Sequence, residues 1–182
     1  MDPKLALRRS KFLSQHLRHQ PEAIGLTLAP GGWVLVADLL AACAAHGQPL
    51  TRDELEEVVE DSDKQRFAFD ETGQRLRAQQ GHSVEIDLRL TPAEPPAVLF
   101  HGTGPAALPA IRREGLLKMS RHHVHLSPDE ATARRVGQRR GQPLLLAVDA
   151  AALHRAGGVF YRSGNGVWLI EAVPPEFVRE LN

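Results

Sequence analysis

Phe12, Leu13, His16 and Leu17 recur at helical spacing, and Pro21 follows, so a helix is predicted that stops just after Arg18 and His19. IGLTL and WVLVADLL flank Gly31-Gly32, which predicts short strands about a turn, and DLLAACAAHG then reads as a helix closed by Gly47. Thr51 with Glu54 is a capping box opening the helix LEEVVED, whose acidic first turn suits the positive end of the helix dipole. RFAFD and QRLRAQ about Thr72-Gly73 read as a hairpin. Farther on, AVLFHGT reads as a strand, PAALPAIRREGLL as a helix capped by Gly115, and HHVHLS as extended chain. DEATARRVGQRRG has the pattern of another helix, and LLLAVDA, GVFYR and GVWLIEAV predict three more strands.

The first set, helix, short strand, two helices and hairpin, has the element order of a winged helix. The second, short strands with helices between them, predicts an α+β sheet lobe. TPAEPPA places three prolines in seven residues, and proline removes donors and stiffens an extended path. The expected organisation is therefore a lobe over residues 1–90, a linker over 91–97 and a second lobe over 98–182.

Hydrophobic residues make up 42% of the chain and charged residues 24%, close to the globular averages of roughly 45–50% and about 25%. No apolar run reaches the roughly 18 to 20 residues of a spanning helix, and MDPKLALRRSKF lacks a signal-peptide apolar stretch, so no membrane partner and a cytoplasmic address are expected. Cys43, the single cysteine, can form neither an internal disulfide nor a multi-cysteine zinc site. Net charge is zero, which argues against bulk coating by nucleic acid, yet residues 1–90 carry 11 basic against 14 acidic side chains and residues 91–182 carry 11 against 8. Arginine supplies 18 of the 22 basic residues, and its planar fork suits bidentate phosphate contacts, although a GC-rich genome would give the same bias.

Arg121 and three histidines, His122, His123 and His125, crowd into SRHHVHLS. On a strand His123 and His125 would share a face, and a metal, simple packing or an anionic pocket would each be compatible with that. A zinc site needs three or four ligands, and no further Cys or His-Glu-x-x-His helix completes one. His101 ends the strand in FHGT, and Arg18-His19 ends the first helix, so arginine and imidazole recur at element ends, a combination suited to phosphate. The plainer alternative for Arg18 and His19 is cations complementing a helix C-terminus, and for Arg66 an exposed strand arginine. No P-loop, Gly-x-Gly-x-x-Gly crevice or Gly-x-Ser-x-Gly elbow is present, which disfavours ATP by a P-loop, NAD by a Rossmann fold and a serine hydrolase.

Taken together, SKFLSQHLRHQPEAIGLTL, GGWVLVADLL, KQRFAF, RAQQGHS, FHGT, SRHHVHLS, LLLAVDA and FYRSGNGVWL resemble the RNA 2′-phosphotransferases of the KptA family over nearly the whole chain. The resemblance implies an N-terminal winged-helix RNA lobe and a C-terminal ADP-ribosyltransferase-like lobe that grips NAD, which is consumed as a co-substrate without a metal. The implied substrate is RNA bearing an internal 2′-phosphate, of the kind left by tRNA splicing. That phosphate attacks C1″ of the nicotinamide ribose, expelling nicotinamide and leaving RNA-2′-phospho-ADP-ribose. The ribose O2″ then attacks the phosphate, giving 2′-OH RNA and ADP-ribose 1″,2″-cyclic phosphate.

The family's essential set corresponds by resemblance to Arg18, His19, Arg66 and Arg121. Fixed guanidiniums aimed at the nonbridging oxygens stabilise the transition state without reorganising water. An imidazole, with an ordinary pKa of about 6.5, is the member able to exchange a proton near neutrality, so His19 is assigned the O2″ proton. His101, Gly102 and Thr103 resemble one NAD motif, with Gly102 allowing close backbone approach. His125 and Ser127 resemble a second, and Phe160, Asn165, Gly166 and Val167 a third. Arg77, Gly81 and His82 match a substrate-side motif in which the family has Asn at the position of Gln79. Arg134, Arg135, Arg139 and Arg140 would track RNA phosphates or form a solvated helix face. No obligate protein partner is expected, and a monomer is. Two alternatives follow: an ADP-ribosyltransferase capping terminal phosphates of RNA or DNA, and a winged-helix binding module with an inactive second lobe, which the intact quartet disfavours.

Overall fold

In the computed structural model residues 1–60, 65–138 and 142–181 are described, and the chain divides into two compact units, Met1–Arg89 and Leu90–Asn182. Both mix helices with small antiparallel sheets, an α+β architecture. Among the described residues no helix is long and apolar enough to cross a membrane.

The first unit opens with α1 (Pro3–Arg18), started by the Asp2 carboxylate, which accepts from the Lys4 and Leu5 amides, and by Pro3 in its first turn. A 3-10 turn (Pro21–Ile24) follows and ends at Gly25 in the left-handed region, φ 73°. Then come β1 (Trp33–Leu35), α2 (Val36–Ala45), α3 (Arg52–Glu60), β2 (Phe67–Phe69) and β3 (Arg75–Ala78). The expected capping box is present: the Glu54 amide donates to Thr51 Oγ1 at 3.2 Å, and the Thr51 amide to Glu54 Oε2 at 2.8 Å. The strands pair in the order β1-β3-β2, with Trp33 opposite Arg77 and Phe67 opposite Ala78.

Two expected strands are revised. IGLTL forms no ladder; Ile24 and Leu26 are buried at 4% and 7% exposure without strand partners, so their alternation records burial rather than pairing. WVLVADLL is a strand only through Leu35, because the chain turns helical at Val36 and buries Val36, Leu39 and Cys43 on one side.

Leu13 and Leu17, one turn apart on α1, enter a core with Leu39, Leu55 and Leu76, all at 1% exposure or less. Each buried leucine contributes roughly 1.5–3 kcal/mol. Arg9, beside them and 8% exposed, pairs with Glu54 at 2.8 Å and donates to the Pro49 carbonyl at 3.0 Å, fastening α1 to the start of α3. Burial pushes the Cys43 thiol up to about 11, against the opposing Arg9 charge, which makes it a core residue rather than a nucleophile.

The second unit contains β4 (Val98–Thr103), α4 (Leu108–Glu114), β5 (Leu116–Leu117), β6 (Val124–Leu126), α5 (Glu130–Gly137), β7 (Leu144–Asp149), α6 (Ala150–Arg155), β8 (Tyr161–Arg162), β9 (Trp168–Ile170), β10 (Ala172–Val173) and β11 (Val178–Leu181). They form sheets β11-β7-β4 and β6-β9-β8 and the pair β10-β5. Phe100 and Ser127 exchange amide hydrogen bonds at 2.9 and 2.7 Å, which joins β4 to the chain just beyond β6. The proline-rich stretch is tied to this unit, since the Ala93 amide donates to the Phe160 carbonyl at 2.8 Å. The helix expected over DEATARRVGQRRG is described as far as Gln138; Arg139 and Arg140 lie outside the described residues.

Candidate active-site residues

In the first unit Arg18 is the last residue of α1 and His19 its C-cap. Both open onto a depression of about 310 Å³, which Arg66, just ahead of β2, also lines, together with Lys11, Ser14 and Gln15 from α1. α1 ends at Arg18 with His19 as its cap, and Pro21 opens the separate 3-10 turn that follows, so the chain leaves α1 with these two side chains at its tip.

One segment, residues 79–84, braces all three. The Ser83 amide donates to the Arg18 carbonyl at 2.9 Å, and Ser83 Oγ lies 2.8 Å from His19 Nδ1. Gly81, at φ +87°, lies against the Arg18 guanidinium: a methyl there would stand 3.6 Å from Nη1, ordinary contact, so it is the backbone conformation that calls for glycine. The Gln79 amide donates to the Arg66 carbonyl at 2.9 Å, and Gln79 Nε2 donates to the Gln65 carbonyl at 2.8 Å. Gln65 itself sits at φ 39°, the sparsely populated left-handed region. The longer side chain at position 79 therefore fixes the backbone that carries Arg66.

Arg77 stacks on Trp33, its guanidinium carbon 4.5 Å from the ring centre, and burial holds it below the usual arginine range. His82 is fully buried, with Gly32 packed beside its ring. Of the three residues expected on the substrate side, Gly81 lies against Arg18, whereas Arg77 packs on Trp33 and His82 is buried beside Gly32.

In the second unit His101 lies on β4 and His125 on β6. His101 Nδ1 is 3.0 Å from the His125 carbonyl, which can only accept, so Nδ1 carries the proton. Arg121 Nη1 is 3.2 Å from His125 Nδ1; a guanidinium only donates, so His125 is neutral with its proton on Nε2. His125 thus meets His101 through its backbone carbonyl and Arg121 through its ring. The strand begins at Val124, so His123 lies just ahead of it, where it packs edge-on against Tyr161 at 5.4 Å. Burial, with His122 and Lys118 nearby, holds the His123 imidazole below its ordinary range. Among the described residues no group of three or more His, Cys, Asp or Glu side chains is gathered closely enough to hold a metal ion.

Thr103 is buried at the end of β4, and Phe160 is 1% exposed in the core. Asn165, Gly166 and Val167 form the tight turn between β8 and β9. There Ser163 Oγ accepts from the Val167 amide at 3.1 Å and donates to Asn165 Oδ1 at 2.7 Å, while Gly166 adopts φ +81°. Gly102 does permit a close approach, but to the protein itself: a methyl there would run into the Ala133 carbonyl and come 2.9 Å from the Gly137 amide of α5. Arg134 and Arg135 are exposed on α5.

Residues 4–172 match the family model described as RNA 2′-phosphotransferase, Tpt1 / KptA family. The chain belongs to this family. Among similar Tpt1 / KptA relatives, the probable RNA 2′-phosphotransferase of Trichormus variabilis is 57% identical over all of both chains. That of Streptomyces griseus is 57% identical over 98% of each chain, and that of Pseudomonas aeruginosa 53% over 99% of this chain and 100% of its own. Every candidate residue named above falls within the span matched to the Tpt1 / KptA family. Sequence reasoning passed over Lys11, Ser14 and Gln15 in the depression and gave Ser83 no role. A serine 64 positions from its histidine carries no local signal, although it lies inside the quoted motif RAQQGHS.

Proposed function

We propose that this protein is an NAD-dependent RNA 2′-phosphotransferase, its first unit a winged helix that holds RNA and its second an ADP-ribosyltransferase-like lobe that holds NAD. The carrying observation is that Arg18 and His19 at the end of α1 and Arg66 ahead of β2 line one depression, and that none of its described lining residues is acidic. A dianionic phosphate is the ligand that such a set favours.

The donor set of the second unit suits a dinucleotide co-substrate. His101, His125, Ser127 and Asn165 offer imidazole, hydroxyl and amide groups to ribose and pyrophosphate, with both imidazoles held in defined tautomers. Bound there, NAD supplies an electrophilic anomeric carbon with a good leaving group. Gly102 fits the reading as the residue that seats α5 behind His101.

In the first step the RNA 2′-phosphate forms a bond to C1″ as the bond to nicotinamide breaks, and no proton need move. In the second, O2″ bonds to phosphorus and the RNA 2′-oxygen departs, so O2″ loses a proton and the 2′-oxygen gains one. Arg18 and Arg66 meet the charge that grows on the nonbridging oxygens. His19 moves the proton, and with Nδ1 engaged by Ser83 the exchange falls to Nε2.

The test is incubation with an oligoribonucleotide bearing one internal 2′-phosphate, with and without NAD. The expected result is 2′-OH RNA and ADP-ribose 1″,2″-cyclic phosphate, both strictly dependent on NAD. Faster ADP-ribosylation of a terminally phosphorylated strand would favour the capping activity instead, and no NAD-dependent product from either strand would overturn both.

Ser83→Ala keeps the backbone bond to Arg18 but removes the hydroxyl from His19. Turnover is expected to fall about tenfold with KM for RNA little altered, and Ser83→Thr to recover most of the loss. Steady-state kcat and KM for the three proteins check this; a rise in KM alone would mean that Ser83 serves binding.

A further inference from the structure

Leu7, Lys11, Ser14 and Arg18 are spaced by four, three and four residues, which places them in one stripe along α1. All four line the same depression as His19 and Arg66. The opposite side of the helix is spent on the core, through Leu13 and Leu17. Nothing in the fold of the first unit requires the stripe. Lys11 is exposed, and among the described residues no ion pair engages it. Leu7 is 54% exposed, an apolar side chain left in an otherwise polar groove. None of the described lining residues is a carboxylate, although the first unit as a whole carries more acidic than basic side chains.

We infer that this groove holds the RNA strand flanking the 2′-phosphate, with Lys11 on a backbone phosphate, Ser14 hydrogen-bonded to the sugar-phosphate chain and Leu7 against a base. The inference rests on the proposed reaction and extends it from the reacting phosphate to the neighbouring nucleotides. At about 1.5 Å of rise per residue, Lys11 lies about 10 Å along the helix from Arg18, a reach of about one to two nucleotides of extended strand. The chemical series matches the ligand: a cation for a phosphate, a hydroxyl for oxygen, an apolar patch for a base face, ending at the cluster where the reacting phosphate is placed. The cationic side chains Lys11, Arg18 and Arg66 along the groove also draw a polyanion toward its end.

The test compares two 2′-phosphorylated substrates, a hexanucleotide and the minimal dinucleotide, in wild type, Lys11→Gln and Lys11→Arg. For wild type the hexanucleotide is expected to have the higher kcat/KM. Lys11→Gln is expected to shrink that advantage about fivefold and to make the salt dependence of hexanucleotide binding shallower by about one counterion, while Lys11→Arg retains it. Because Lys11 is exposed, neither change threatens the fold. In parallel, the Kd of a fluorescent, unphosphorylated hexanucleotide is measured without NAD. A wild type that binds this RNA through Lys11 yet turns over neither substrate would fail the proposed reaction and keep the groove. An advantage that Lys11→Gln leaves intact, with equal Kd for the two proteins, overturns the groove and leaves the reaction standing.

Discussion

His19→Ala is expected to release nicotinamide and then stop, leaving RNA that carries ADP-ribose on its 2′-phosphate. The two chemical steps differ in their need for a proton carrier. A phosphate dianion attacking an anomeric carbon displaces a neutral leaving group and exchanges no proton, so the loss of an imidazole touches that step weakly. Attack by O2″ must shed one proton and deliver another to the departing 2′-oxygen, and a positioned acid-base group contributes about 10²- to 10⁴-fold to such a transfer. The yield of 2′-OH RNA should fall by that factor while ADP-ribosylated RNA accumulates. His19 caps its helix and is exposed, so its removal leaves the apolar core of the first unit intact. Radiolabelled 2′-phosphate followed by gel mobility separates the outcomes. If nicotinamide release is lost as well, with no adduct formed, the imidazole belongs to the first step.

Gly102→Ala is expected to be among the most damaging single-methyl changes in the second unit, alongside Gly115→Ala, where a methyl would meet the Val173 carbonyl. Gly102 has an ordinary negative φ, so the constraint is space and not conformation. The atoms in the way belong to backbone: the Ala133 carbonyl and the Gly137 amide, neighbouring turns of α5. A side chain could rotate aside; a helix backbone can yield only by lifting off β4. Overpacking typically costs about 1–3 kcal/mol, and contact with rigid main chain puts this site at or beyond the upper end. For a unit of this size that corresponds to a fall in Tm of roughly 10–20 °C. Each unit holds one tryptophan, Trp33 and Trp168, and Trp168 is buried at 7%. Fluorescence melting in a Trp33→Phe background therefore reports the second unit alone. A shift of only a degree or two would mean that α5 does not sit on β4 as described.

Legibility in the sequence followed the range of the interaction. The Thr51-Glu54 cap, the hairpin about Thr72-Gly73 and the stop of α1 before Pro21 rest on contacts within a few residues, and each could be read from its own segment. Several elements of the second unit escaped, among them the two-residue strand β5 and, as an element separate from β9, the two-residue strand β10. Six-residue α6 is shorter than two helical turns, its one clear signal being Asp149, which accepts from the Ala152 amide. Edge strand β11 alternates too little to read, because Arg179 and Glu180 are both exposed. Among the site residues, Arg18, His19 and Arg66 could be named from motifs. Their braces, Gln79 on Gln65 and Ser83 on His19, needed the fold, since contacts of that range leave no periodicity.

Because residues 79–84 grip the carbonyl of Arg18, the ring of His19 and the main chain of Arg66 together, these groups are held as one set. An arriving dianion would therefore meet its ligands without having to gather them. Insertions tolerated in an ordinary surface loop would be ruinous in this short stretch, since lengthening it by even one residue would release all three groups at once.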